Sequence, residues 1–380
     1  MKQFRKIIFW IHLACGVVAG IFIFLMCVTG ALLSFQANIL KYAESEMRFV
    51  TPPENARKLP VQEIVAKVLA AKPNAKPSGI TLQNDSNAAA LLALGRDGQV
   101  YVNPYTGEIT GEGAKGYRSF FRSVEDLHRW LALTGEARPI GKAVNDACNL
   151  AFLFLAISGV YIWFPRRWSW RHFKAAMILR WKVTGKARDF NWHTVIGFWS
   201  SLVLIILTLT AVVMSYQWAN NLLYTLTGNE PPPQQQQPQA PNQPGEQPFA
   251  LPENIHEVWA KAENYTDWKS ISLRLPIARD AAVFTIDEGK YWNMFGRSTL
   301  TVDTKTAEVS KWEAYGEQNA GRQLRSWVRF THTGETGGIA GQIIGFLACL
   351  GGAFLVYTGL SLAWRRFRAW RSAGIVNRES

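Results

Sequence analysis

The chain has 380 residues, 48% of them hydrophobic, with four cysteines and a formal net charge of +13. A soluble protein of this length would hold two or three domains, but so many apolar residues at a mean hydropathy near zero mean apolar blocks alternating with polar ones, as in a membrane protein with sizeable water-facing segments. The charge is not a nucleic-acid footprint: segments 1–6, 165–190 and 365–380 hold sixteen Lys or Arg against Asp189 and Glu379 alone, so by the positive-inside rule they are cytoplasmic, both termini are inside, and the number of spans is even.

The first apolar run, about Ile7 to Phe35, exceeds a signal-peptide core and no small-residue cleavage site follows, so it reads as a retained transmembrane helix. Cys15 and Cys27 lie in it, and Cys148 and Cys349 in later apolar runs; no disulfide framework and no CxxC spacing results. The chain then stays outside to about Gly141, with a helix-like stretch at Val61–Ala71 and β-type runs at Ala89–Leu94 and Gln99–Val102. Gly111–Gly116 spells GxGxxG but follows a small strand pair rather than opening a βαβ unit, so it reads as a turn. An amphipathic stretch, YRSFFRSVEDLHRW, then carries His128, and Thr134-Gly-Glu136 follows.

The second span is expected at about Ala143–Phe164, with Asn145 and Asp146 at its outer start, and leads into the basic loop Arg166–Arg188. The third runs from about Trp192 to Trp218. A Pro/Gln-rich tract within 219–248 has nothing apolar to bury and reads as an extended linker. A second helix, Glu253–Asn264, and β-type runs at Ser270–Leu275, Ala282–Ile286 and Tyr291–Phe295 follow. GRQLRSWVRFTH ends at His332, Thr333-Gly-Glu335 comes next, and the fourth span, about Ile339–Trp364, stops at Arg365-Arg366.

The two halves are copies. HLACGVVAGIFIFLMCVTGALLSFQ from His12 matches HTVIGFWSSLVLIILTLTAVVMSYQ from His193 at a glycine four residues on (Gly16, Gly197), a threonine seventeen on (Thr29, Thr210) and a Ser-aromatic-Gln ending. Val102–Glu108 and Val302–Glu308 superpose at an offset of 200. The expected fold is therefore an α-helical membrane protein of four transmembrane helices with two small α+β domains outside, at 37–141 and 249–335, duplicated with pseudo-twofold symmetry.

Four of the six histidines occupy equivalent positions of the halves near membrane faces. His12 and His193 lie at the inner ends of spans one and three; His128 and His332 lie at the outer entries to spans two and four. A b-type haem takes two axial imidazoles from different helices. From His12 to Gln36 a helix climbs about 36 Å, so inner and outer histidines cannot share an iron, and the assignment is two haems, His12/His193 and His128/His332. A lone histidine at a helix end is ordinarily interfacial; four at repeat-related positions point to ligands. His172 and His256 have no counterparts and read as surface residues. Gly16 and Gly197 suit either close approach of a macrocycle or helix packing. Trp10 and Trp192 suit the interface, and Met26 and Met214 the core.

With its helix, outer domain and helix plan and the V-N-P-Y-T-G-E motif at Val102–Glu108, the chain resembles the PepSY-associated transmembrane family, most of all the inner-membrane ferric-siderophore reductases of ferrioxamine type. The second copy departs from the motif at Ala307, where glycine is usual. The resemblance implies a Gram-negative inner membrane, PepSY-like domains in the periplasm, two haem b groups, a ferric siderophore as substrate and a cytoplasmic or quinol electron donor. Tyr101, Tyr105, Tyr291 and Trp292 are candidates for a docking surface or for sheet core. The alternative is a non-enzymatic membrane regulator whose outer domains bind a partner protein.

Overall fold

The computed structural model describes residues 2–95, 98–164, 170–232, 251–277, 280–291 and 295–379. In chain order these form α1 (Lys2–Leu33), α2 (Gln36–Ala43), α3 (Ser45–Arg48), α4 (Val61–Ala71), β1 (Gly79–Gln83), β2 (Ala90–Ala93), β3 (Gln99–Val102), β4 (Ile109–Gly111), α5 (Lys115–Trp130), α6 (Arg138–Trp163), α7 (Trp170–Met177), α8 (Gly185–Ser215), α9 (Gln217–Leu226), α10 (Ile255–Glu263), β5 (Ser270–Arg274), β6 (Ala281–Asp287), β7 (Ser298–Asp303), β8 (Val309–Glu313), α11 (Ala320–His332) and α12 (Gly338–Glu379). They divide into two compact units. The first comprises Met1–Gln36, Phe120–Leu226 and Leu324–Ser380; the second comprises Ala37–Ser119 and Thr227–Gln323.

The first unit is a bundle of α1, α6, α8 and α12, and four stretches, Gln3–Ala43, Gly135–Trp163, Gly185–Ser215 and Glu335–Ser372, are long and apolar enough to cross a membrane. Such helices keep every backbone N–H and C=O paired within the segment, which a lipid interior demands. Helix α1 packs on α12 and α6, and α8 packs on the same two. The repeat-related helices α1 and α8 therefore stand across one diagonal, and α6 and α12 across the other. Ala19, Ile23, Met26, Cys27 and Ala353 fill the centre with Phe152 and Leu155, while Val18 (78% exposed) and Leu202 (68%) face outward. Met214 is 38% exposed, so it lies outside the core anticipated for it; Met26 lies inside. Asp189, 2% exposed, ties α8 to α12 by accepting from Ser361 Oγ at 2.7 Å and pairing with Arg365 at 3.3 Å.

The turns that deliver α5 into α6 and α11 into α12 are built around close backbone approach. A Cβ at Gly141 would strike the Trp130 carbonyl oxygen, and one at Gly341 the Gly334 carbonyl oxygen. These two glycines share the offset of 200, so both halves seat the histidine-bearing turn in the same way.

The second unit is one eight-stranded antiparallel sheet of order β4-β3-β2-β1-β5-β6-β7-β8. Each repeat contributes a four-stranded meander, and the meanders join through β1 and β5, with Thr81 opposite Ser272 and their hydroxyls 2.8 Å apart. The sheet buries alternate residues, as in β6, which is the period of a strand with one covered face. Helices α4 and α10 pack on each other, and a single apolar cluster runs from Ile64 and Leu92 through Ile271 to Phe284 and Leu300. Each repeat thus keeps its own helix and meander, while sheet and core are continuous across both.

Strands β2, β3, β5 and β6 fall where period-two patterning was read. Tyr291 and Phe295 instead sit in bend and turn backbone, and residues 292–294 lie outside the described residues; the sheet continues through β7. The linker expected at 219–248 starts too early: residues 219–226 belong to helix α9, because this stretch has apolar residues to bury, Ala219, Leu223 and Tyr224, while 233–248 lie outside the described residues. Strands β1, β4, β7 and β8 were not anticipated, because GITLQ, ITG, STLTVD and VSKWE are too short or too polar to stand out.

The repeated motif is a hairpin turn with a mechanism. Asn103 Oδ1 accepts from Tyr105 N–H at 2.9 Å, and Asp303 Oδ1 from Lys305 N–H at 2.7 Å, the local side-chain bonding that makes Asn and Asp turn formers. Residue 107 then adopts φ 74° as glycine, whereas residue 307 adopts φ 55° as alanine. A non-glycine residue there costs roughly 1–2 kcal/mol, offset in part by the entropy glycine loses on folding. Ala307→Gly should raise the unfolding temperature of the purified protein, by up to about 1 kcal/mol in stability. Gly107→Ala, whose methyl would also strike the Lys67 side chain, should lower it.

Glu44 is the most thoroughly neutralised carboxylate of the sheet unit. It is 0% exposed and accepts from Arg118 Nη2 at 2.8 Å, Arg48 Nη2 at 3.0 Å, Tyr101 Oη at 2.9 Å and Ala114 N–H at 3.1 Å. Burial alone would raise its pKa, but Arg118, the Ala114 N–H, Tyr101 and Arg48 together hold it at about 2. Burial and the bond to Glu44 push the Tyr101 phenol up to about 12. Because the folded-state pKa of Glu44 is depressed, its stabilisation is complete above the ordinary value of 4.5 and is lost as pH falls toward about 2. Removing one partner of a buried pair costs roughly 3–5 kcal/mol. Thermal unfolding should show Glu44→Gln well below the parent at neutral pH, with the gap narrowing as pH drops below about 4.5.

Candidate functional site

All four repeat-related histidines belong to the helical unit, and each ring is tied through Nδ1 to a hydroxyl of its own half. His12 Nδ1 on α1 lies 2.8 Å from Ser158 Oγ on α6. Its counterpart His193 on α8 lies 2.9 Å from Thr358 Oγ1 on α12. His128, near the end of α5, lies 2.8 Å from Thr29 Oγ1 on α1. His332, the last residue of α11, lies 3.1 Å from Thr210 Oγ1 and 3.0 Å from the Leu207 carbonyl oxygen on α8. With Nδ1 engaged in all four, Nε2 is the nitrogen left for a ligand.

The outer pair approaches across the halves: His128 and His332 have centroids 6.4 Å apart and planes inclined by 50°. Small residues crowd the rings closely: a Cβ at Gly159 would stand 3.6 Å from His12 Cε1, one at Gly359 3.3 Å from His193 Cε1, and one at Gly30 3.5 Å from His128 Cε1. The two levels are well separated. His12 to Thr29 on α1 and His193 to Thr210 on α8 each cover seventeen residues, about 25 Å of helix.

The donor set discriminates between kinds of metal group. Among the described residues no cluster of three or more His, Cys, Asp or Glu could hold an ion, and a bare structural zinc wants four protein ligands. Two imidazoles suit a group that brings its own in-plane ligands and takes two axial nitrogens. A metal–imidazole bond is about 2.0–2.1 Å, so two rings that share one metal through a nitrogen each stand several ångströms apart, centre to centre. The His128–His332 centroid separation of 6.4 Å is compatible with that.

The remaining residues singled out in the sequence have other surroundings. Gly16 and Gly197 face Leu155 and Leu355, at 3.9 and 3.5 Å from an added Cβ, which is helix packing. Trp10 is exposed beneath Arg366. Trp192 packs between Trp181 and Phe354. Asp146 pairs with Lys142, and the Asn145 Oδ1 is buried without a partner. His256 is exposed; the His172 side chain lies outside the described residues. Of the docking candidates, Tyr101 is 4% exposed and belongs to the sheet interior. Tyr105 donates to the Ser86 carbonyl at 2.9 Å, Tyr291 packs on Tyr315, and Trp292 lies outside the described residues.

Sequence reasoning missed the hydroxyls. Thr29 and Thr210 were visible as a repeated pair without a role. Ser158-Gly159 and Thr358-Gly359 carry the same offset of 200 as the strand motif, and that offset is the signal that would have found them.

Fold and site together define an internally duplicated four-span membrane protein with an antiparallel sheet unit and paired imidazoles in the bundle. Residues 9–366 match the PepSY-associated TM region, and the chain belongs to that family. A comparison with curated proteins gave no match.

Proposed function

We propose that the protein is a dihaem b-type electron carrier of the bacterial inner membrane that reduces ferric siderophores in the periplasm and so frees Fe(II) for uptake. The observation that carries this reading is the His128–His332 pair, 6.4 Å apart, with each Nδ1 turned away to a hydroxyl of its own half. His128 and His332 would hold one haem, and His12 and His193 the other. Each haem, when bound, supplies a reversible one-electron Fe(III)/Fe(II) couple.

The chain's own residues do the rest. Ser158, Thr358, Thr29 and Thr210 orient the rings, and the apolar filling of Ile23, Cys27, Phe152 and Ala353 between the levels excludes water. The basic segments at 1–6, 165–190 and 365–380 support cytoplasmic termini, which puts His12 and His193 on the side of a quinol or cytoplasmic donor. The same orientation gives the sheet unit to the periplasm, where the substrate is. One electron converts the chelated Fe(III) to Fe(II), which hard siderophore oxygens hold far less well, so reduction is itself the release step. The resemblance to ferric-siderophore reductases supports the substrate class.

The detergent-purified protein should be red, with a Soret band and sharp α and β bands on reduction. His128→Ala and His332→Ala should each remove about half of the haem. In stopped-flow mixing, the reduced protein should be reoxidised by a ferric siderophore. Reduced protein indifferent to every ferric siderophore would refute the reductase role and leave the haem assignment standing. A colourless protein that takes up no haem would instead favour a partner-binding regulator.

A further inference from the structure

We infer that Ser158 is a positioning residue that alone holds the His12 ring in its ligand tautomer, whereas the His332 ring is held twice, by a hydroxyl and by a backbone carbonyl. The inference rests on the haem reading and concerns how this chain prepares its imidazoles for it. A hydroxyl has one proton to donate and two lone pairs to accept with. Thr29 Oγ1 donates to the Leu25 carbonyl at 2.6 Å, Thr210 Oγ1 to Ile206 and Leu207 at 2.8 Å each, and Thr358 Oγ1 to Phe354 at 2.9 Å. Ser158 Oγ makes the equivalent bond to Leu155 at 3.3 Å.

With its proton committed to a backbone carbonyl, each hydroxyl can only accept from the imidazole. Nδ1 therefore carries the hydrogen, and Nε2 keeps its lone pair for a metal. At His332 a carbonyl makes the same demand independently: Leu207 O stands 3.0 Å from Nδ1. A carbonyl cannot donate, so that ring keeps the tautomer even without its hydroxyl. At His12 the Ser158 hydroxyl is the one Nδ1 partner among the described residues. It is also a serine where the other half has Thr358, and its back-bond is the longest of the four.

Substitution of a group that binds the far nitrogen of a metal-ligating histidine typically weakens metal retention by about 10–100-fold. The test compares Ser158→Ala, Ser158→Thr and Thr210→Val in detergent. The readouts are haem retained after dialysis against apo-myoglobin, the two reduction potentials from a redox titration, and the histidine 15N shifts.

Ser158→Ala should lose one of the two haems about 10–100-fold more readily than the parent. Whatever haem remains at that site should have a raised potential, because an imidazole without an Nδ1–H bond donates less electron density to the ferric iron. Ser158→Thr should restore both values, and Thr210→Val, which leaves the Leu207 carbonyl on His332, should change haem retention and potential much less. Equal haem retention and unchanged potentials in Ser158→Ala overturn the inference. In a parent preparation that takes up no haem the haem reading fails, and the 15N shifts decide the tautomer instead. A His12 ring locked as Nδ1–H in the parent and mixed in Ser158→Ala sustains the role of Ser158; a mixed ring already in the parent overturns it.

Discussion

An imidazole set among lipid-embedded helices has two nitrogens to satisfy and no water to satisfy them with, and the helical unit is arranged around that constraint. Each ring spends Nδ1 on a hydroxyl from a membrane-length helix of its own half and leaves Nε2 without need of that partner. The hydroxyls come without a loss of helix bonding, because a Ser or Thr in a helix returns its proton to a carbonyl one turn back. Ligand orientation is thus a within-half property, while pairing is a between-half property. Neither half alone would complete a two-coordinate site.

Duplication explains both units. In the sheet it joins two meanders through β1 and β5, so that neither is left with an open inner edge. In the bundle it sets α1 against α8 and α6 against α12 on the diagonals. Symmetry is broken where two copies of a large side chain would meet between the halves. Phe152 faces Gly352, its counterpart at the offset of 200, with a ring carbon 3.4 Å from where a Cβ would be, and Cys27 packs on the same glycine. A second phenylalanine there would overpack the centre.

The spans, the duplication and the approach of His128 to His332 were legible because hydropathy, charge and repeat offsets are one-dimensional signals that a chain carries openly. The Nδ1 partners were not, because Ser158 reaches His12 across 146 positions and Thr29 reaches His128 across 99, and a buried serine in an apolar run has no distinguishing pattern. Tyr101 could not be assigned between docking surface and sheet core for a related reason: an aromatic on a strand has the same sequence signature whether it faces solvent or, as here, a buried carboxylate. The continuous sheet was hidden because β1 and β5 are separated by most of the chain and each is only five residues long. Membership of the PepSY-associated family agrees with the architecture and leaves the chemistry to be argued from the site.

The central claim is that each haem is gripped by one histidine from each half. Haem stoichiometry in double variants tests it most directly. His12→Ala with His193→Ala removes both axial ligands of a single site, so that protein should retain one haem per chain. His12→Ala with His128→Ala, both in the first half, strikes each site once and should leave none. The opposite pattern, with the same-half double variant keeping one haem and the cross-half variant losing both, would mean that the halves bind haem separately and would contradict the account.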